Sequence, residues 1–372
     1  MARIPASYTE SRERFRAWLE PIRRAWPDAQ LETRPLPGHP TLTTDWISAV
    51  PTEHRERLLV LSTGLHGIEG YVGAAVLDVF FEEFLPRLDP RTSGLLIIHA
   101  INPWGMQHRK RTNPHNVDLN RNFIRGSFDA LENFNPDYPL LSRFLNPAGP
   151  VRSIPLTRLK FAAQAIAMIA RYGVPRIREA ALMGQYRQPE GIYYGGADLQ
   201  DETKMMMTLY AAAYSGYTQI VHLDMHTGYG PRNQMTLVAS PLEARSAADL
   251  MRDYRLPLVA AATPEAFYTM QGDMTDWQYH LVREKFPQMR FFGAAFEFGT
   301  FGDSLLAGVR SLLITVLKNQ VNLYGADPAS AAWIEQEYGE LYCPSDPRWL
   351  DKALHDARQA YEGILGAEGF LA

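Results

Sequence analysis

The sequence contains a single cysteine, Cys343, among its 372 residues. One cysteine excludes an intrachain disulfide framework and a cysteine-rich zinc ribbon. Its position close to the C-terminal segment does not favour a role as a thiol nucleophile. The sequence also lacks an uninterrupted apolar run of about 18 residues, the length that a membrane span requires. We therefore expect a protein that does not cross or enter a membrane.

An excess of charge of one sign is also missing. Lysine and arginine total 37 against 41 aspartates and glutamates, a formal net charge of −4, and the basic residues are scattered apart from the run at residues 108–111. Nucleic-acid binding usually shows as a concentrated basic face, so no nucleic-acid partner is predicted. The first ten residues lack the apolar run of a signal peptide, and we expect a cytoplasmic location.

Helical and extended patterns alternate along the chain. Residues 58–63 form an apolar run ended by Gly64, residues 72–84 carry apolar side chains at helical spacing, and residues 95–101 form a second apolar run. This unit predicts two parallel strands joined by a right-handed crossover. Further strands are predicted at residues 219–226, 235–239 and 289–298, and helices at 161–172, 202–214, 303–324 and 347–365. We expect one α/β domain over residues 1–372, with helices on both faces of an open sheet.

Residues 126–160 differ from the rest because they are rich in asparagine, proline and phenylalanine. This composition predicts a long irregular segment without helices or strands. Elsewhere, polar clusters follow the ends of the predicted strands, where functional groups gather in open α/β sheets.

The first such cluster is His66-Gly67-Ile68-Glu69, in the loop after the first strand. Residues three apart in a turn lie on one side, so this histidine and glutamate can point to one metal ion. Glycines at 64, 67 and 70 permit tight backbone turns around them. The pattern alone also suits a surface histidine beside a helix-start carboxylate.

The second cluster ends the strand at 219–226, where His222, Asp224 and His226 share one side because side chains alternate along a strand. Burying three polar groups there requires partners. We interpret His222 as a structural histidine and His226, beside Thr227-Gly228, as a metal ligand. Two histidines and one glutamate form the three-ligand set typical of catalytic zinc, which leaves a fourth position for water. Such a set also accepts Co, Mn, Ni or Fe(II).

A third cluster is Phe296-Glu297-Phe298-Gly299-Thr300. A carboxylate between aromatic residues at a strand end is poorly solvated, which raises its pKa toward the range of a general base. An ion-paired structural glutamate is the alternative interpretation.

The fourth cluster comprises Asn102-Pro103-Trp104-Gly105, then Arg109 and Arg111, then the segment Val117-Asp118-Leu119-Asn120-Arg121-Asn122-Phe123. In this order with the other three, the motifs resemble the zinc carboxypeptidase family. The resemblance is closest to its bacterial DUF2817 group and more distant to the aspartoacylase and succinylglutamate desuccinylase branch. It covers about residues 58–302 and implies a mixed, mostly parallel twisted sheet and one Zn²⁺ per chain.

The resemblance also implies roles for individual residues. His66, Glu69 and His226 correspond to the zinc ligands, Glu297 to the general base and Arg111 to the arginine that stabilises the oxyanion. Other residues correspond to groups around them: Asp118 orients the first zinc-bound histidine, and Asn120 and Arg121 bind the substrate's terminal carboxylate. Digestive members of the family also carry a tyrosine on a mobile loop between the last histidine and the glutamate. Tyr254, Tyr268 and Tyr279 all lie in that interval, and we choose Tyr268.

The resemblance therefore implies a zinc-dependent hydrolase that cleaves a C-terminal peptide bond or a related amide. The substrate would be a small peptide or an acyl-amino acid with a free carboxylate. An N-acyl amino acid deacylase of the aspartoacylase type is the alternative activity. A binding protein that has kept the fold without the chemistry is a third possibility, which the complete set of matched residues disfavours. A serine hydrolase is not supported, since the sequence has no GxSxG motif.

Overall fold

The computed structural model describes residues 3–261 and 271–371. Eight strands lie within these residues: β1 (Gln30–Leu36), β2 (His39–Ala49), β3 (Arg57–Thr63), β4 (Ser93–His99), β5 (Gln219–Thr227), β6 (Met235–Ala239), β7 (Val259–Ala261) and β8 (Arg290–Phe298). They form one sheet in the order β1-β2-β4-β3-β5-β8-β6-β7.

The centre of the sheet is parallel. β4, β3, β5 and β8 are consecutive neighbours and run in the same direction. β1 with β2, β2 with β4, and β6 with β8 pair antiparallel, whereas β6 and β7 are parallel. The expected mixed α/β sheet is confirmed, and so is the parallel pairing of the first two predicted strands.

Helices surround this sheet. The described α-helices are α1 (Tyr8–Ala17), α2 (Leu19–Arg23), α3 (Gly70–Val79), α4 (Pro103–Gln107), α5 (Tyr138–Leu145), α6 (Ile154–Tyr172), α7 (Val174–Leu182), α8 (Asp201–Ala213), α9 (Ala247–Tyr254), α10 (Met274–Lys285), α11 (Leu305–Tyr324), α12 (Pro328–Tyr342) and α13 (Pro347–Ala367). In the described part of the chain, every helix is too short or too polar to cross a membrane.

The two faces of the sheet bury separate apolar layers. On one face, Leu59 and Leu223 contribute to a layer that includes side chains of α3, α9 and α13. On the other face, Val60 and Ile220 share a layer with Met206 and Tyr210 of α8 and with residues of α10. Strands covered on both faces explain why their sequences are continuous apolar runs rather than alternating patterns.

The prediction that residues 126–160 form an irregular segment is wrong, because part of this segment is helical and packs in a third apolar cluster. This segment contains α5 and the start of α6, seven residues earlier than the predicted helix at 161–172. Leu141 and Phe144 of α5 pack with Phe161 of α6 and with residues of α7 and α11. Ser153 caps α6 by accepting a hydrogen bond from the Leu156 amide. A proline occupies the first turn, where a backbone N–H would have no intrahelical acceptor and its absence therefore costs no hydrogen bond.

The strand order brings three predicted clusters to one edge. β3, β5 and β8 are adjacent parallel strands, so their carboxyl ends lie side by side. His66 follows β3, His226 lies near the end of β5, and Glu297 lies near the end of β8. This is the edge at which open α/β sheets place their sites.

Candidate metal centre

The turn after β3 holds His66 and Glu69 together. A 3₁₀ turn at Gly67–Glu69 places His66 Nδ1 3.0 Å from Glu69 Oε1, and both side chains are buried. Gly67 packs against the backbone of Gly105 so closely that a Cβ would lie 2.1 Å from the Gly105 carbonyl carbon. Any other residue at 67 would push the turn away from the Asn102–Gly105 segment.

His226 reaches the same point from β5. Its Nδ1 lies 3.2 Å from His66 Nδ1 and 3.1 Å from Glu69 Oε2. Within the described ranges, His66, Glu69 and His226 are the group that offers three possible ligand atoms within 4.8 Å of one another. The structure therefore brings together all three residues predicted as metal ligands.

Second hydrogen bonds fix the orientation of both imidazoles. His66 Nε2 lies 3.0 Å from Asp118 Oδ1, and His226 Nε2 lies 2.6 Å from Asp224 Oδ2. Each carboxylate accepts a hydrogen bond from Nε2–H, so the lone pair of each Nδ1 can point to the centre. Carboxylate–histidine pairs of this kind commonly hold metal-bound histidines. The donor set and its orientation therefore fit a divalent cation such as Zn²⁺.

The charge of Glu69 is retained despite complete burial. Burial raises the pKa of Glu69, but His66, His226 and Arg111 outweigh it and leave the pKa below its ordinary value. The Thr227 amide also donates to Glu69 Oε2 at 3.0 Å. Glu69 is thus an ionised carboxylate, the form that a metal ligand requires.

Arg111 links the two carboxylates around His66. Its Nη1 donates to Glu69 Oε1 at 2.9 Å and its Nε donates to Asp118 Oδ2 at 3.1 Å. Burial opposes the charged form of Arg111, but Asp118 and Glu69 overcome it, and the pKa is raised well above its ordinary value. A permanent positive charge therefore lies beside the centre.

Glu297 faces the centre from β8, where it is the cross-strand partner of His226. Its Oε1 accepts a hydrogen bond from the Tyr229 amide at 3.0 Å. Burial raises the pKa of Glu297 to about 7; His226 opposes the rise and Glu69 adds to it. A carboxyl group with a pKa near neutrality can both accept and return a proton.

The two residues predicted to bind a terminal carboxylate are placed differently from each other. The Asn120 amide donates to Asp273 Oδ2 at 2.8 Å, and its oxygen accepts from the Met274 amide at 2.9 Å. Arg121 is fully buried and donates from Nη1 to the Asn120 carbonyl and from Nη2 to the Leu182 carbonyl. Asn120 lines the cavity that contains His66 and Glu297, whereas Arg121 is not among the described residues that line it. Tyr268 lies outside the described residues.

A cavity of about 510 Å³ opens at the centre. One wall is apolar and is formed by α6, α7 and α11 through Ile169, Val174, Ile177 and Leu312. Another part is polar and includes Ser240, Thr275 and the carboxylates of Asp273 and Asp276. The volume suits a small molecule or a short peptide segment.

A second arginine of the cavity, Arg178 of α7, was not predicted. Its guanidinium lies 5.8 Å from the centre of the Tyr229 ring and Nη2 donates to the Tyr229 hydroxyl. Within the described part of the chain, Arg178 forms no ion pair. Arg178 was not predicted because residues 174–182 lie outside the predicted helices and outside the four polar clusters of the sequence.

Asp224 was also missed as a partner of His226. Strand alternation had placed both on one side of β5, and this is the signal that could have identified the pair. His222 lies on that side too, 2.7 Å from Ser62 Oγ. The burial of three polar groups on one strand face is therefore matched by hydrogen bonds.

Comparison with curated proteins gives no match. Among solved structures, carboxypeptidase A from Helicoverpa armigera is similar at 12% identity and a TM-score of 0.45, covering 86% of this chain and 73% of that chain. Bovine thrombin-activatable fibrinolysis inhibitor is similar at 13% identity and a TM-score of 0.44, covering 85% of this chain and 95% of that chain. An aspartoacylase family protein from Mesorhizobium loti is similar at 13% identity and a TM-score of 0.38, covering 77% of this chain and 67% of that chain. The family profile described as a protein of unknown function, DUF2817, matches residues 5–356, and the chain belongs to that family.

Proposed function

We propose that this chain is a zinc-dependent hydrolase that cleaves the C-terminal peptide bond of a small peptide. The observation that carries the proposal is the meeting of four groups: the ligand atoms of His66, Glu69 and His226 within 4.8 Å of one another, and Glu297 on the adjacent strand. Three ligands with an open fourth position are typical of catalytic rather than structural zinc. We expect one Zn²⁺ per chain.

When bound, zinc supplies a Lewis acid that polarises the scissile carbonyl and lowers the pKa of water. Glu297 is the group that moves protons. Its carboxylate takes a proton from the attacking water and then gives that proton to the departing amine. Burial raises the pKa of Glu297 to about 7 in the metal-free protein. A bound cation lowers that pKa, so near neutral pH the carboxylate is ionised and able to accept the proton of the water.

Arg111 supports the same reaction as a fixed charge. Its contacts with Glu69 and Asp118 hold the guanidinium in place before any substrate binds. A positive group beside a developing oxyanion in a site that excludes water contributes about 3–4 kcal/mol to transition-state stabilisation. Asp118 keeps His66 oriented through its other oxygen.

The substrate's carboxylate requires a cation in the cavity. Asn120 and Arg121 remain the pair that the resemblance predicts for this contact. Arg178 is an additional candidate, because it lines the cavity and its guanidinium presents the planar donors that suit a carboxylate.

An N-acyl amino acid deacylase is the second candidate, and the apolar wall favours it. Ile169, Val174 and Ile177 offer an apolar surface to an acyl chain within the cavity that contains the metal ligands. Both activities would use the same metal ligands and the same base, so they differ in which part of the substrate lies on that wall.

A substrate panel tests the proposal. Zinc-loaded protein is assayed with N-blocked dipeptides, with N-acyl amino acids, and with versions of each whose carboxylate is amidated. Hydrolysis of the free-carboxylate dipeptides is the expected result. Activity on acyl-amino acids alone would replace the peptidase assignment by the deacylase, and no turnover of any amide at one equivalent of zinc would refute a hydrolase.

A further inference from the structure

A chain of buried hydrogen bonds leads from α10 to the metal ligand His226. Gln278 Oε1 lies 2.6 Å from His222 Nδ1, and His222 Nε2 lies 2.7 Å from Ser62 Oγ. Ser62 donates to Asp224 Oδ1 at 2.6 Å, and the other oxygen of Asp224 lies 2.6 Å from His226 Nε2. Ser62, His222, Asp224 and Gln278 are each at most 1% exposed.

The donor and acceptor of each hydrogen bond at Ser62 follow from its single hydroxyl proton. Ser62 has one hydroxyl proton and donates it to Asp224, so Ser62 Oγ can only accept from His222 Nε2. Asp224 therefore receives donors on both oxygens, one from Ser62 and one from His226. A carboxylate held at both oxygens cannot rotate away from the imidazole that it orients.

At the end of this hydrogen-bond chain that is farthest from His226, the contacts fit a neutral His222. Burial lowers the pKa of His222, which favours a ring with one proton, and that proton lies on Nε2. Nδ1 then needs a donor, while the buried Gln278 amide nitrogen has no hydrogen-bond partner among residues 3–261 and 271–371. Turning the Gln278 amide exchanges oxygen and nitrogen in the same space and pairs this nitrogen with His222 Nδ1.

We infer that Ser62 and His222 are positioning residues for the metal ligand His226, acting through Asp224. The inference rests on the metal site of the proposed function. Ser62 and Asp224 are cross-strand partners between β3 and β5, so strand pairing sets the first contact. Because His226 Nε2 then donates to a fixed carboxylate, its Nδ1 lone pair is kept in the orientation that a metal needs.

The test compares Ser62→Ala with Thr63→Val, its neighbour on β3. Thr63 is equally buried, but its hydroxyl has no hydrogen-bond partner among the described residues, so it controls for removing a buried hydroxyl from this strand. Zinc affinity is measured by competition with a chromogenic chelator. Loss of the residue that is hydrogen-bonded directly to a metal ligand weakens metal binding about 10–100-fold. Ser62 acts one bond further out, through Asp224, so we expect a loss at the lower end of that range, about tenfold, for Ser62→Ala alone.

Cobalt gives a readout that a purely structural role would not change. Co²⁺-loaded Ser62→Ala should show altered visible d–d absorption because the His226 imidazole is free to reorient, whereas Thr63→Val should match the wild type. His222→Gln keeps a donor near the position of Nε2 and should retain most of the affinity, while His222→Leu should lose it. This second pair decides the question if Ser62→Ala does not fold.

Unchanged zinc affinity and an unchanged cobalt spectrum in Ser62→Ala would overturn the inference, as would equal loss in Thr63→Val. Such results leave the proposed function intact, provided that the wild type binds zinc and hydrolyses its substrate. Wild-type protein that binds no metal would instead refute the proposed function itself. The two failures are therefore distinguished by the wild-type measurement.

Discussion

Replacing Glu297 by glutamine separates the catalytic role of this residue from a structural one. Glutamine has nearly the same shape, and its side-chain oxygen can still accept the hydrogen bond from the Tyr229 amide. It cannot accept a proton from water. Because Glu297 is not one of the three ligand residues, zinc should remain bound at one equivalent.

The expected loss of turnover follows from the loss of proton transfer. Positioned general acid–base groups contribute about 10²–10⁴-fold to rate. We expect kcat of Glu297→Gln to fall within that range while the zinc content is unchanged.

The same substitution should stabilise the metal-free protein above neutral pH. Burial raises the pKa of Glu297 from 4.5 to about 7, so the folded state favours the protonated form. Stability from this group is therefore fully present below about pH 4.5 and is lost as the pH rises through about 7. At about 1.4 kcal/mol per pH unit, the loss reaches about 3 kcal/mol near pH 8. Glutamine, which is always neutral, avoids it.

Steady-state kinetics and urea unfolding of metal-free protein at about pH 5 and pH 8 measure both effects. Glu202→Gln is the matched control, because Glu202 is another buried glutamate whose pKa burial raises, and it lies outside the cavity. It should gain stability at high pH without losing turnover. Wild-type rate in Glu297→Gln would refute its role as the base, and no gain in stability near pH 8 would refute the burial argument.

Three further outcomes are expected. Dialysis against a chelator should abolish hydrolysis and one equivalent of Zn²⁺ should restore it, whereas full activity of protein shown to be metal-free would exclude a metal mechanism. Arg178→Ala should raise KM about tenfold for substrates with a free carboxylate and leave amidated analogues unchanged, in line with one charge-assisted hydrogen bond. Arg121→Ala should lower the unfolding free energy by about 2–4 kcal/mol, since it leaves buried carbonyls without donors. Kinetics on both substrate types assign the carboxylate contact to whichever arginine shows the selective loss.

The strands and ligand residues could be predicted because their signals are local. A continuous apolar run marks a buried parallel strand, and a polar side chain at its end marks the sheet edge where β3, β5 and β8 meet. His66, Glu69, His226 and Glu297 all have this signature. Their convergence depends on the strand order, and the resemblance implied that convergence by matching all four residues to one zinc site.

Other parts depend on contacts that sequence patterns do not contain. α5 is eight residues long, and its apolar side chains stand among asparagines and prolines, so their shared face becomes visible only when α6 and α11 cover it. β1 is largely exposed at the sheet edge and lacks the apolar run of an inner strand. The direction of the Arg121 side chain is set by a 3₁₀ turn, in which adjacent residues point to different sides.

The excess of buried carboxylates predicts that metal binding releases protons. Glu69, Asp118 and Asp224 surround the histidines and Glu297 adds a fourth carboxyl group, whereas Arg111 supplies one fixed positive charge. Further positive charge at the centre is therefore required to balance them. Without metal, protons supply it: Asp224 and Glu69 overcome burial and raise the pKa of His226 well above its ordinary value, and the pKa of Glu297 is about 7.

A divalent cation would replace these protons, since His226 must offer a lone pair and a nearby cation lowers the pKa of Glu297. We therefore expect release of about one to two protons per Zn²⁺ near pH 7. Calorimetric titration in two buffers with different ionisation enthalpies measures that number directly. A binding enthalpy independent of the buffer would show that the centre holds no exchangeable proton, and the charge balance between the carboxylates and His226 would then be wrong.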